Sequence, residues 1–556
     1  MNSWEAIARM IRAEGVEFVF GLGDSGLQLY AEAAEGLRNV NLRYEGSAPF
    51  MAMAYARMTG GPGVCTAGAG PGTANLLPGV LEAYSGCSPL VVISQASSQR
   101  YSGLGDFQEA PQVALMAPIT KWSARIPYAE RIPWYIRRAF ATALNGRPGP
   151  VFLELPYDVS GKNRWELDEI DFPEYVPARR VRSAGDPGDI RQAAELLRSA
   201  KRPVAISGSG TVHSGAAREL ERLVELLGMP FLTTPGGRGI LPETHPLALG
   251  NTGYYRTRVG KEIYAAADLV FTIGTRNESY ETHQWRDFPE GARFVQVDID
   301  PEELGRNWVP DVGIAGDARL VIGQLIDALG AAGSSSVDPS RAARTREIQR
   351  AKEDFEREVD AECLEGDGSL TAKRAVHELS RIFGEDTVLV SENGSQDTWS
   401  YCYPYFTVQQ GSSCVPVAEQ TCMGMGVVGA IAAKLARPDK KVACVTGDGA
   451  FQMYMKELPT AAQYRAGCTW LVLDNSAFGW TKHYQLLHTG RDTVSFDVQP
   501  DFVKWAEACQ CLGRRVEHAA DLAPALEEAL HANEQGVPAV VVVAVGLDVS
   551  HFERAE

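Results

Sequence analysis

The chain has 556 residues, 45% of them hydrophobic and 22% charged, which suits about three ordinary globular domains. Its formal net charge of −17 excludes a nucleic-acid surface or an anionic membrane as the main partner, while leaving room for local basic pockets. Ten cysteines occur with no C-x-x-C pair, which reads as reduced thiols in a cytoplasmic protein, and no apolar run is long enough to span a bilayer.

The amino terminus, MNSWEAIARMIRAEGVEFVFG, has no apolar signal core; it predicts a helix over 6–13 and a strand over 16–20. A tight glycine loop follows, Gly21-Leu22-Gly23-Asp24-Ser25-Gly26, in which Ser25 is either a turn residue or a polar group facing a ligand. Leu42-Arg43-Tyr44-Glu45 leads into a small-residue helix over 47–59. Glu45 reads either as an exposed carboxylate beside a helix N-terminus or as a carboxyl in a dry site that shares a proton. A strand over 63–66, a glycine-rich run over 67–75, a helix to 83 and a strand over 89–94 continue a doubly wound α/β alternation. Phe107-Gln108-Glu109 comes next, and a strand over 150–156 closes this part of the chain, which holds no His before His213.

A polar, proline-bearing connection over 157–189 leads to a second α/β segment. Its strands at 204–207, 269–273 and 294–297 end in Gly208-Ser209-Gly210, Gly274-Thr275-Arg276 and Asp298-Ile299-Asp300. A Gly-Ser-Gly loop after a strand is a phosphate loop about as often as a plain turn. A linker over 331–340 and a charged helix over 341–365 precede the third segment.

That segment opens with a strand over 388–390 and the turn Ser391-Glu392-Asn393-Gly394-Ser395-Gln396. Met423 lies in a glycine-rich turn 25 residues before Asp448. A strand over 442–446 then runs into Gly447-Asp448-Gly449, a helix over 452–464 follows, and a strand over 469–473 ends in Asp474-Asn475. A βαβ unit brings both strand ends to one sheet edge, where open α/β sheets bind ligands. Asp448 offers an anionic oxygen and Asn475, 27 positions on, a neutral one. With the backbone carbonyl of Ala477 they make half of an octahedron, a shell that Mg²⁺ completes with phosphate oxygens and water. The glycines admit a diphosphate, and the helix N-terminus favours its charge. Gly-Asp-Gly alone is an ordinary turn; the placing of Asn475 is what favours the metal.

Together these motifs resemble the thiamine-diphosphate (ThDP) enzymes over nearly the whole chain. The likeness is greatest to the acetolactate synthase-like group, and the chain is also similar to 2-hydroxyacyl-CoA lyases and oxalyl-CoA decarboxylases. The resemblance implies an α/β fold of three doubly wound domains: a pyrimidine-binding (PYR) domain over 1–165, a Rossmann-like middle domain over 186–332 and a diphosphate-binding (PP) domain over 360–556. It implies ThDP and Mg²⁺ as cofactors, with FAD, an ADP-containing ligand such as coenzyme A, or nothing in the middle domain. It assigns Asp448, Asn475 and Ala477 to the metal, and Gly447, Gly449, Ala450, Ser395 and Gln396 to the diphosphate. Met423 becomes the wedge that bends the cofactor, a role a Met elsewhere in a core would not have. Glu45 becomes the carboxyl at N1′ of the aminopyrimidine; Tyr44 stands where the family has His. Gln108 and Ser25 are further catalytic candidates, and Phe107, Gln108, Trp480 and Thr481 are substrate contacts. Lys482 and His483 either meet an anionic substrate tail or are solvated surface.

Two departures matter. Tyr280 stands where acetolactate synthases carry an Arg for the acceptor's carboxylate, so Arg276, four residues upstream, would have to take over. Trp480 is larger than the residue usual there. The resulting expectation is a 2-oxo acid substrate, decarboxylated and then ligated. The alternatives are a 2-hydroxyacyl-CoA lyase giving formyl-CoA and a carbonyl compound, or an inactive paralogue of the fold. The resemblance further implies a homodimer or homotetramer with active sites at the subunit interface, and the tail over 548–556 is either a lid or disordered.

Overall fold

The computed structural model describes residues 1–23, 25–162, 166–331, 339–365, 368–409, 411 and 413–547. The linker read over 331–340 lies largely outside these residues, and the tail over 548–556 wholly so. Three six-stranded parallel sheets follow one another along the chain. The first contains β1 (Phe18–Gly21), β2 (Arg38–Asn41), β3 (Gly63–Ala67), β4 (Leu90–Ala96), β5 (Trp122–Arg125) and β6 (Pro150–Pro156), in the order β2-β1-β3-β4-β6-β5. The second contains β7 (Pro203–Ser207), β8 (Phe231–Thr233), β9 (Ala248–Asn251), β10 (Leu269–Ile273), β11 (Arg293–Asp298) and β12 (Val312–Ala315). Its order, β9-β8-β7-β10-β11-β12, is that of a dinucleotide-binding fold. The third contains β13 (Thr387–Ser391), β14 (Cys414–Val415), β15 (Lys441–Gly447), β16 (Thr469–Asp474), β17 (Leu512–Val516) and β18 (Ala539–Ala544). Its order, β14-β13-β15-β16-β18-β17, repeats that of the first sheet. The fold is therefore three doubly wound α/β domains.

The first and third domains share one core. The helices Ser47–Thr59 and Met425–Ala436 are made of small and apolar residues on nearly every face, so each must be covered on all sides. They cover each other: a Cβ built on Gly429 would sit 3.5 Å from that of Ala54. Phe50, Met51, Val428 and Ile431 belong to the resulting cluster. The middle domain has its own core around Leu220, Phe231, Phe271 and Val295. It is pinned to the third domain by Arg238, which is fully buried, pairs with Glu243 and donates to the carbonyls of Ser400 and Phe406.

One predicted element divides. The helix expected over 452–464 is instead Asp448–Tyr454, a 3₁₀ turn at Met455–Glu457 and a second helix Leu458–Gln463. Pro459 has no N–H to continue the first helix, and it sits in the opening turn of the second. All ten cysteines are unpaired, and among the described residues no helix is long and apolar enough to cross a membrane.

Candidate functional site

In the third sheet the strand order reverses between β13 and β15, and the loops leaving those strands carry a cradle. Ser395 and Gln396 follow β13, Gly447-Asp448-Gly449 follows β15, and Asn475 and Ala477 follow β16. Their convergence can be read at the glycines. A Cβ on Gly479 would lie 2.5 Å from Asn475 Nδ2 and 2.8 Å from Ser395 Oγ, and one on Gly447 would lie 3.2 Å from Gln396 Oε1. Asn475 Oδ1 is buried and has no hydrogen-bond partner. Ser476 and Phe478 make the ladder bonds to Phe496 and Val494, so the Ala477 carbonyl between them points away from that ladder. Asp448 is buried, and burial followed by the charge of Asp474 pushes its carboxyl up to about 6. A bound cation would reverse that cost. One orphaned amide oxygen, one strained carboxylate and one free carbonyl are a donor set that fits Mg²⁺. Ala450 is buried one turn behind, on the helix Asp448–Tyr454. Gln499, from a loop no sequence signal singled out, donates to Asp448 and also to Asp474 at 3.4 Å.

The turn that carries Met423 is gripped from two sides. Thr421 at φ 47° and Gly424 at φ 96° bend it sharply, leaving Met423 half-buried between them. Glu392 accepts hydrogen bonds from the backbone N–H groups of Gly424, Gly426 and Val427. Glu82, fully buried in the first domain, accepts from those of Ala418 and Cys422. Burial pushes both carboxyls up, that of Glu392 to about 7. Sequence reasoning missed both, because each acts across a separation that no local motif marks.

Glu45 is half-buried in the first domain, with Asn75 donating to it at 3.1 Å and Gly72 beside it. Tyr44, the preceding residue, packs against Tyr454 and under Lys456 of the third domain. Gln108 is half-buried at φ 58°, its carbonyl 2.9 Å from where a Cβ on Gly70 would lie, and Phe107 is 78% exposed. Ser25 is buried and caps the helix Gly26–Tyr30, accepting from the Gln28 N–H. Among the described residues no hydrogen bond or ion pair joins the Glu45 group to the Asp448 cradle within the chain.

A cavity of about 260 Å³ runs between the three domains. One end is the reversal point of the middle sheet, where Ser209-Gly210 follows β7, Gly274 follows β10 and Asp298 ends β11. Gly208 and Gly210 press against Gly274 so closely that a Cβ on either would clash with its backbone, which is a packing reason for that loop beside any phosphate role. Burial pushes the Asp298 carboxyl up to about 7. The other end reaches Tyr280, Asp397, Glu419 and Trp480. Thr481, by contrast, is exposed; Lys482 and His483 are half-buried on the same helix, Gly479–Thr489. Arg276, expected to replace the missing acceptor Arg, is instead engaged: it pairs with Glu278 at 2.9 Å and donates to the Ser85 carbonyl at 2.5 Å. Its Nη2 is thereby taken by a carboxylate and a carbonyl of the protein.

Three family models match the chain. The N-terminal TPP-binding domain of thiamine pyrophosphate enzymes matches residues 1–115, their central domain 190–325 and their C-terminal TPP-binding domain 393–543. A probable acetolactate synthase large subunit of Methanococcus aeolicus is 33% identical over 96% of this chain and 91% of its own length. The acetolactate synthase isozyme 3 large subunit of Escherichia coli K12 is 31% identical over 95% of this chain and 92% of its own. The acetolactate synthase large subunit of Corynebacterium glutamicum is 31% identical over 99% of this chain and 87% of its own.

Proposed function

The chain belongs to the thiamine pyrophosphate enzymes, in their acetolactate synthase-like group, and on that premise we propose a Mg²⁺-dependent enzyme that decarboxylates a 2-oxo acid and joins the remaining acyl unit to a second carbonyl. The observation that carries this reading is the cradle at Gly479: Asp448, the orphaned Oδ1 of Asn475 and the carbonyl of Ala477 for the metal, with Ser395 and Gln396 beside them for a diphosphate. When bound, ThDP supplies a carbon nucleophile and the electron sink for breaking the bond to CO₂.

The chain's own residues do the rest. Gly447, Gly449 and Ala450 let the backbone approach the diphosphate at a helix N-terminus. Met423, whose turn is fixed by Glu82 and Glu392, would pack against the cofactor as the wedge that the resemblance implies. Glu45 holds the proton at N1′ of the pyrimidine, and Asn75 keeps its carboxyl in place. Gln108 and Phe107 reach the substrate from the first domain and Trp480 and Thr481 from the third, with Ser25 at the edge of the same loop system. Each Glu45 group pairs with the Asp448 cradle of a second subunit, in a homodimer or homotetramer, as the resemblance implies. The middle-domain end of the cavity suits FAD or another ADP-containing ligand. The enzyme works in the cytoplasm, in keeping with ten unpaired cysteines.

The test is calorimetry of the purified protein with ThDP in the presence and absence of Mg²⁺, followed by CO₂ release from pyruvate. Mg²⁺-dependent ThDP binding and CO₂ release are expected; a protein that ignores ThDP overturns the reading. A yellow protein indicates bound FAD, whereas a colourless one that binds coenzyme A favours the 2-hydroxyacyl-CoA lyase chemistry instead.

A further inference from the structure

The cavity end at Asp397 has the wrong electrostatics for an anionic acceptor. Three arginines line the cavity, and each is engaged by groups of the protein. Arg57 donates to the carbonyls of Cys414, Gly236 and Arg238. Arg147 faces Glu303 at 3.4 Å and donates to Cys87 Sγ, and Arg276 is held by Glu278 and Ser85. His213 is uncharged: burial, then Arg57 and Arg180, hold it at about 3.

Against these stand the carboxyl groups of Asp397 and Glu419. Asp397 is 93% buried, since its exposure is 7%; its Oδ2 accepts from the Tyr255 hydroxyl at 3.2 Å, and its Oδ1 has no hydrogen-bond partner. A buried acceptor left unpaired is costly, so its persistence beside a cavity calls for a donor from outside. Tyr280 lies near both Asp397 and Glu419, whose charges act on its phenol. Burial, then Glu278 and Glu281, push Glu419 up to about 8, against the pull of Arg276. Tyr255, Tyr401 and Tyr280 are all held neutral as phenols. This end of the cavity thus offers the open acceptor Asp397 Oδ1 beside neutral aromatic phenols, and the arginines among its lining residues are held by groups of the protein.

We propose that this end of the cavity, between Asp397, Tyr280 and Glu419, is the acceptor subsite, and that it takes an uncharged aldehyde or ketone bearing a hydroxyl that donates to Asp397 Oδ1. This rests on the carboligation reading above and names its second substrate. The bond formed joins the donor's acyl carbon to the acceptor's carbonyl carbon; the donor loses CO₂ and the acceptor's oxygen takes a proton. A carboxylate on the acceptor would meet the carboxyl of Asp397, and the Arg276 guanidinium that could offset the repulsion is already paired with Glu278. An acceptor without the hydroxyl would leave Oδ1 unpaired, and sites built around such a bond discriminate strongly against analogues that lack it.

The experiment has a turnover arm and a binding arm. With pyruvate as donor, the ThDP- and Mg²⁺-loaded protein is offered glyceraldehyde, propanal and a second pyruvate. Glyceraldehyde is expected to be ligated with a kcat/KM at least ~10-fold above either competitor. Asp397→Asn should raise the KM for glyceraldehyde about 10-fold more than that for propanal, and Glu419→Leu, which removes the polar group altogether, should act in the same direction if the first variant folds poorly. Calorimetry with dihydroxyacetone, on protein with and without cofactor, should show binding to the wild type that is weakened in both variants. Preference for pyruvate or propanal overturns the proposal. So does an Asp397→Asn change that alters only the visible spectrum of a bound flavin, which would mark Asp397 as a cofactor contact. Absence of ThDP binding sinks the functional reading, while the dihydroxyacetone arm still decides this one.

Discussion

The Asp448 cradle and the Asp397 cavity end are both places where buried carboxyls are left wanting, but they are built differently. The cradle draws Ser395, Gln396, Gly447, Asp448, Asn475 and Gly479 from three consecutive strand-to-helix loops of one sheet. Its acid is pushed up only to about 6. The cavity end collects Tyr255 and Tyr280 from the middle domain and Asp397, Glu419 and Trp480 from the third, and its acids are pushed up to about 7 and 8. A cation suits the first, where Asp448 and the orphaned Oδ1 of Asn475 leave the ends of neighbouring strands. A neutral hydrogen-bonding molecule suits the second, where an unpaired acceptor lies beside neutral phenols. The first is assembled within one sheet, the second only where two domains meet.

The comparison breaks most directly at the cradle. Asp448→Ala removes the only anionic ligand of the proposed metal shell and should weaken ThDP binding by about 10³-fold or more, roughly 4 kcal/mol, by calorimetry with Mg²⁺ present. If binding survives, the metal is held elsewhere and the cradle is only a turn. Glu45→Gln separates proton handling from binding: kcat should fall by about 10²–10⁴-fold while ThDP affinity changes little. A fall in affinity that matches the fall in rate would make Glu45 a cofactor anchor instead. Gly479→Ala is the finer probe. Its methyl would lie 2.5 Å from Asn475 Nδ2 and 2.8 Å from Ser395 Oγ, pushing both off the diphosphate. ThDP affinity should drop by about 10–100-fold, with a far smaller change in thermal stability.

The two regions also differ in how far the sequence disclosed them. The third-domain strands end where their apolar runs end, so Asp448 and Asn475 were placed by spacing alone, and the structure sets the predicted strand over 469–473 at Thr469–Asp474. The small-residue helix over 47–59 was equally plain, because a helix without a polar face has to be buried. Edge strands were harder: Arg38–Asn41 and Trp122–Arg125 are short and half-exposed, with no apolar run to mark them. Asp397, Glu82 and Glu419 gave no signal at all. Each sits in an ordinary local context and gains its meaning from partners far along the chain, Tyr255 for Asp397 and Ala418 for Glu82. The partners of Arg276 were equally hidden, since Glu278 is near in sequence but the Ser85 carbonyl is far away.

The smallest effect concerns stability and tests the cavity without any substrate. Burial raises the Asp397 carboxyl from its ordinary value of 3.8 to about 7. An acid whose folded pKa lies above its unfolded one binds a proton more tightly in the folded chain. Its contribution to stability is therefore full below about pH 4 and is lost as the pH rises through about 7. Above that pH the wild type carries a buried anion whose Oδ1 has no partner. Asp397→Asn keeps an oxygen for the Tyr255 hydroxyl and removes the charge. Its melting temperature should exceed that of the wild type by about 1–3 °C near pH 8, and the gap should shrink at pH 5 and close below about pH 4. Glu419 titrates in the same range but is common to both proteins, and the surrounding Tyr255, Tyr280 and Tyr401 phenols stay protonated, so the difference curve isolates Asp397. A gap with the same size at both pH values would mean that Asp397 is paired in solution. The cavity end would then be ordinary packing, unlike the cradle, rather than a site that sacrifices stability to keep an acceptor open for its ligand.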